Sequence, residues 1–194
     1  MDAHLEEQIR AFFDANDLSG AATLSLESYG PELLGWLVTS TGDPDLAEEV
    51  FSQGAEDLWA GLEAFRWDCS MRTWLYVLAR NALVRLRRSP RERREVLRSQ
   101  ISEVAAAVRT RTRPWIRSEV KDRFRVLRES LDEASRELLI LRVDRQMAWE
   151  DIARVLGEPG DPGQASARIR KRFSLLKAKL HQEAEREGLL DVEC

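Results

Sequence analysis

The chain has 194 residues, 43% of them hydrophobic and 33% charged, with a formal net charge of −4. That is enough chain for one large or two small domains with real cores, and too apolar a composition for a disordered chain. Apolar runs fall short of the roughly 20 residues of a membrane span, and MDAHLEEQIRAFF lacks the basic-then-apolar order of a secretory signal, so a cytoplasmic protein is expected.

In chain order, nearly every periodic stretch reads as helix and none alternates like a half-buried strand, which predicts an all-α protein. Helices are expected near 3–15 and 21–40, with Gly30-Pro31 interrupting or restarting the second. TGDPDLAEEVFSQGAEDLWAGLEAF opens with a helix start: Asp43 caps, Pro44 takes the first helical position, and Asp45, Glu48 and Glu49 complement the positive end. Leu46, Val50, Leu58, Leu62 and Phe65 supply most of its apolar stripe. CSMRTWLYVLARNALVRLRR, 69–88, is the next helix. On a helical wheel Trp74, Leu78, Met71, Ala82, Leu75, Leu86 and Ala79 share one arc, and Arg72, Tyr76, Arg80 and Arg87 oppose it, with Asn81 and Arg88 on a flank. Trp74 therefore reads as a core residue rather than a base-stacking one.

Residues 89–117 are Arg-rich, hold two prolines and read as a linker carrying a helix around 92–108. Strong helical periodicity returns beyond it. MAWEDIARVLG reads as the first helix of a helix-turn-helix: Ile152 and Leu156 are apolar four apart, Ala153 is small where a second helix crosses, and Gly157 makes the turn. GEPGDPG is a turn, and QASARIRKRFSLLKAKLHQEAEREG is a final long helix whose packing stripe is Ile169, Phe173, Leu176 and Leu180.

The modest net charge hides a strong polarity. Residues 1–68 hold 15 acids and 2 bases, whereas residues 69–129 hold 17 bases and 6 acids. A second cationic island, Arg168, Arg170, Lys171, Arg172, Lys177 and Lys179, has no acid within 168–179. Residues 69–98 carry nine arginines against Glu92 and Glu95, so the arginines lack helical acid partners and repel one another, which a polyanion would relieve. Little points to catalysis. Cys69 and Cys194 fit no metal or redox spacing and read as free thiols; His4 and His181 read as exposed helix residues. GEPGDPG lacks the Lys-Ser/Thr of a phosphate loop. No enzyme activity and no cofactor or metal is expected.

Taken together and in order, these blocks resemble the bacterial RNA polymerase sigma factors of the sigma-70 family, specifically the extracytoplasmic-function (ECF) group with only regions 2 and 4. The match rests on Ala47-Glu48-Glu49 with Trp59 beyond, on Ser70-x-Arg72-Thr73-Trp74-Leu75 followed by Ala79-Arg80-Asn81, and on SRELLILR (135–142) followed by WEDIARVLG and the basic helix. The resemblance implies an N-terminal helical extension (1–21), region 2 (22–95), a basic linker (96–118) and a region 4 helix-turn-helix (119–190). It implies binding to core RNA polymerase, at the β′ clamp through Asp45, Glu48, Glu49, Ser52 and Gln53 and at the β flap through region 4. It implies capture of single-stranded −10 promoter DNA by Arg66, Trp67, Ser70, Arg72, Tyr76, Arg80, Asn81, Arg87 and Arg88, and −35 duplex reading by Gln164, Ser166, Arg168, Arg170, Lys171 and Arg172. An anti-sigma factor is a further implied partner. Ser52-Gln53-Gly54-Ala55 stands where the family has Gln-Glu-x-Phe, and the GEPGDPG turn is longer than usual. Two alternatives follow: a sigma-like adaptor that binds polymerase or a regulator without reading promoters, and a stand-alone helix-turn-helix regulator.

Overall fold

The computed structural model describes residues 3–88, 103–109 and 130–186. Among them every regular element is helical and there is no strand, as the periodicity predicts. The chain divides into two compact units, Met1–Arg117 and Ser118–Cys194.

The first unit holds α1 (Ala3–Asp14), α2 (Leu18–Thr41), α3 (Pro44–Gly61), a short 3-10 turn (Leu62–Ala64) and α4 (Met71–Arg88). Residues 103–109 add a short helix, α5. α2 starts on Asp17, whose side chain accepts from the Gly20 N–H at 2.8 Å, and ends at Gly42 in the left-handed conformation, φ 68°. It runs through Gly30-Pro31 without the expected break. An interior proline costs about 3 kcal/mol or more, but Pro31 is exposed while Tyr29, Gly30, Leu33 and Leu34 are buried, so tertiary packing holds the helix together on both sides of it. α3 begins as the sequence signals: Asp43 accepts from the Asp45 and Leu46 N–H groups at 3.0 and 3.1 Å, with Pro44 in the first turn.

α2 packs on α3 and α3 on α4, with α1 laid against α2 and touching α4. The core comes from all three longer helices, around the fully buried Trp36, Phe51, Leu58, Met71 and Tyr76. Gly54 is buried where α3 meets α4, and a Cβ there would lie 3.5 Å from the Ala79 Cα, so two small residues set the spacing of the helices. α5 lies within the stretch expected to be linker, yet it packs on this unit: Ala105 and Val108 are buried. The bare backbone of Gly30 admits it, because a Cβ at Gly30 would stand 2.8 Å from Val108 Cγ1. The remainder of the linker helix expected near 92–108 lies outside the described residues, as does Cys194.

The second unit holds α6 (Glu133–Leu139), a wide turn (Ile140–Asp144), α7 (Trp149–Val155) and α8 (Pro162–Arg186). Asp132 caps α6 by accepting from the Ser135 N–H at 2.9 Å and its hydroxyl at 2.7 Å. The turn is closed by the Arg145 N–H on the Ile140 carbonyl, five residues back. α7 ends at Gly157, φ 66°: the Gly157 N–H bonds Arg154 O and the Glu158 N–H bonds Ala153 O, the paired closure that a left-handed glycine permits. Asp161 then starts α8 by accepting from the Gly163 and Gln164 N–H groups. α7 packs along α8. Of the expected α8 stripe, Ile169 and Leu176 are buried and Phe173 and Leu180 half-buried, with Phe173 edge-on to Trp149 at 5.4 Å.

Candidate functional site

The α4 helix and the loop before it carry most of the sequence-expected nucleic-acid residues. The first four N–H groups of a helix have no partner within it. Here those of Met71, Arg72 and Thr73 are satisfied from outside the helical ladder, which begins at Trp74. Ser70 accepts from the Thr73 N–H with its hydroxyl at 3.1 Å and from the Trp74 N–H with its carbonyl at 3.0 Å. The carboxylate of Glu6, on α1, accepts from the Met71 N–H at 2.8 Å and the Arg72 N–H at 3.1 Å. Glu6 also accepts from the Tyr29 hydroxyl at 2.8 Å, and a carboxylate there complements the positive end of α4. Burial first, then the hydrogen bond to Glu6, pushes the Tyr29 hydroxyl pKa well above the ordinary phenol value.

Beneath this start, Arg72 makes a two-pronged ion pair with Glu32 of α2, Nε at 2.6 Å from one oxygen and Nη2 at 3.1 Å from the other. The Arg72 side chain is only 12% exposed. Burial opposes its charge, but the Glu32 hydrogen bond and attraction outweigh that and hold its pKa above the ordinary guanidinium value. Tyr76 is 0% exposed and its ring lies 5.0 Å from that of Trp36.

These positions correct the wheel. The buried arc of α4 is Met71, Thr73, Leu75, Tyr76, Ala79, Ala82 and Leu83, because the helix packs against α2 and α3 at once and needs a wider inward face than a single stripe. Tyr76 is thus a core residue, not a ring presented to a base, and Arg72 is held by Glu32 rather than turned outward. Ser70, expected at the DNA, caps the helix; its position just before the apolar periodicity is the local sign of that role. Trp74 is half-buried, stacked on Phe65 at 4.4 Å and packed over Gly61, in keeping with a structural role.

The loop Phe65–Ser70 carries the rest. Arg66 is 84% exposed and pairs with Asp68 at 3.3 Å. Trp67 adopts φ 58°, a left-handed conformation that bulky residues avoid. It persists because the half-buried ring is packed by three neighbours: Phe65 at 5.0 Å, Phe13 of α1 edge-on at 5.7 Å, and the Arg10 guanidinium over one face at 5.3 Å. Its buried indole N–H has no hydrogen-bond partner among the described residues. Further along α4, Arg80 is half-buried and Asn81, Arg85, Arg87 and Arg88 are exposed, which leaves a basic surface at the C-terminal end of the helix. Arg85 pairs with Asp57 of α3. Arg72 and Arg85 thus do have acid partners, supplied by other helices, Glu32 and Asp57, rather than by their own.

On α3, Asp45 is exposed and Glu48, Glu49, Ser52 and Gln53 are half-buried. The Ser52 hydroxyl donates to the Glu48 carbonyl at 2.8 Å and accepts from Arg109 of α5; Gln53 donates to Asp57 at 3.1 Å. On α8, Gln164, Arg168, Arg170, Lys171 and Arg172 are exposed, but Ser166 is 1% exposed and donates to Gly163 O at 3.1 Å, so it faces the unit's interior rather than a groove. Arg168 and Arg172 both pair with Glu158, at 3.2 and 2.6 Å, and Arg170 pairs with Glu150 at 3.2 Å. Sequence reading missed Glu6, Glu32 and Glu158. Glu6 and Glu32 lie 66 and 40 residues from the groups they hold, beyond the reach of any local signal.

Among the described residues there is no grouping of His, Cys, Asp and Glu suited to a metal ion and no helix long and apolar enough to cross a membrane. Compared with known families, residues 26–94 match the model of sigma-70 region 2. The matched span takes in most of α2, all of α3, the loop and α4. No curated protein and no solved structure matched the chain.

Proposed function

We propose that this chain, with a sigma-70 region 2 match over residues 26–94, works as an ECF-type sigma factor: it binds core RNA polymerase and directs it to promoters. The carrying observation is the coincidence of that match with the α2–α3–α4 bundle and its exposed basic end at Arg85, Arg87 and Arg88. In this reading α3, led by Asp45, Glu48 and Glu49, docks on the β′ clamp. The acidic first part of the chain repels DNA and leaves that helix to a protein partner. Arg66, Trp67, Arg80, Asn81, Arg87 and Arg88 hold the unpaired −10 strand by phosphate contact and stacking. The second unit supplies the helix-turn-helix, with Gln164, Arg168, Arg170, Lys171 and Arg172 toward −35 duplex and a further contact to the β flap. The protein acts in the cytoplasm, has no catalytic step of its own, and an anti-sigma factor is a candidate regulator.

A second reading, the sigma-like adaptor, draws support from α8: three of its arginines are engaged by Glu150 and Glu158, and Ser166 is buried. Run-off transcription with core polymerase on genomic fragments separates the two. Initiation from discrete sites supports the sigma factor. Stable core binding with no initiation from any fragment supports the adaptor.

A further inference from the structure

We infer that α1 is a positioning element for the −10-reading loop, acting through Glu6, Arg10 and Phe13. The inference rests on the sigma-factor reading above and assigns a part in it to a helix outside the matched span, which begins at residue 26.

Three contacts carry it. Glu6 supplies the acceptors for the first two N–H groups of α4, a non-local cap joined by the Tyr29 hydroxyl. Phe13 and Arg10 close over the Trp67 ring from α1, while Phe65 closes it from within the loop. Trp67 itself has the left-handed backbone that needs such packing. Glu6 and the pair Arg10 and Phe13 thus grip the two ends of one segment: the helix start at Met71–Arg72 and the loop at Trp67. The grip is rigid at the base, since Ile9 on the same helix is fully buried. Between the two gripped ends stand Asp68, Cys69 and Ser70, and beside them the exposed Arg66. A loop that captures a flipped base must hold its shape before the base arrives, because ordering it at that moment weakens binding. α1 meets that requirement for this loop, and Glu6 is a positioning residue that acts through the α4 backbone.

The test uses the full chain in three forms, wild type, Glu6→Ala and Phe13→Ala, each assembled with core polymerase. The probe is an oligonucleotide carrying the non-template −10 strand of a promoter mapped with the wild-type holoenzyme. Both variants are expected to bind it about tenfold more weakly, the equivalent of about 1.4 kcal/mol, with affinity for core polymerase changed less than about twofold. Glu6→Gln, which keeps an acceptor oxygen but not the charge, is expected to fall between wild type and Glu6→Ala. Amide exchange at Met71 and Arg72 is expected to quicken in Glu6→Ala and stay slow in Phe13→Ala. Equal loss of core and strand binding overturns the inference, as does unchanged exchange at Met71 and Arg72 in Glu6→Ala. If Glu6→Ala does not fold, Phe13→Ala and Glu6→Gln decide by the same ratio of strand to core binding. A wild-type protein that initiates from no promoter removes the sigma-factor reading instead, and the exchange result then still stands for or against the α1 cap.

Discussion

Two basic helices, α4 in the first unit and α8 in the second, look alike in sequence and are handled differently in the fold. In α4 the arginine nearest the helix start, Arg72, is drawn inward onto Glu32, and the exposed arginines gather at the far end as Arg85, Arg87 and Arg88. In α8 the arginines stay at the surface, but the carboxylates of α7 and the turn come to meet them, Glu150 for Arg170 and Glu158 for Arg168 and Arg172. One helix sorts its charges along its length; the other has them engaged near its start. A run of arginines is therefore not in itself a nucleic-acid face. Where the carboxylates of the fold arrive decides how much of the run remains available to phosphates.

The largest effect expected is at Tyr76. Tyr76→Ala removes a fully buried ring packed on Trp36, and should cost about 3–5 kcal/mol in urea unfolding. A near-neutral change in stability with a loss of DNA binding would restore Tyr76 to the outer face and break the contrast. Arg72→Ala comes next, at about 2 kcal/mol, less than for a wholly buried pair because Glu32 keeps some contact with water. Joint replacement of Arg72 and Glu32 by apolar residues should recover part of that loss, and a double-mutant cycle reads the difference.

Smaller effects sharpen the α8 side. Glu158→Gln frees Arg168 and Arg172 from a carboxylate while changing stability by about 1 kcal/mol, since the arginine ends of both pairs are exposed though Glu158 is half-buried. If α8 meets duplex DNA, the variant should bind it more tightly and with a steeper dependence on salt; unchanged binding and slope would take the α8 arginines out of the DNA interface. A change of similar size concerns pH. Hydrogen bonds from the Ser135 hydroxyl and N–H hold the Asp132 carboxyl below its usual pKa. Its folded pKa lies below the unfolded one, so its contribution is present above the ordinary carboxylate range and fades as pH falls through the folded value. Asp132→Ala should therefore lower the melting temperature at pH 7, by a loss near 1 kcal/mol typical of a cap, and lower it less as pH falls below the ordinary carboxylate range.

Much of the fold was legible in the sequence because its determinants are local. Asp43-Pro44 starts α3, Gly157 ends α7, and the 3.6-residue periodicity marks the helices; each such signal acts within a turn or two of chain. The acidic front, the two basic islands and the blocks that resemble sigma regions were likewise readable from residues alone. Tertiary structure alone decided which way α4 turns. A helix between two neighbours buries a broader face than a wheel assigns to it, and so Tyr76 and Arg72 point inward. It also decided which acids meet which arginines, and it brought Glu6 to the first turn of α4 across 65 residues of chain. The physical reason is the same in each case. Propensity and capping act along the chain, whereas desolvation and charge pairing act through space, between partners that only the packed helices bring together.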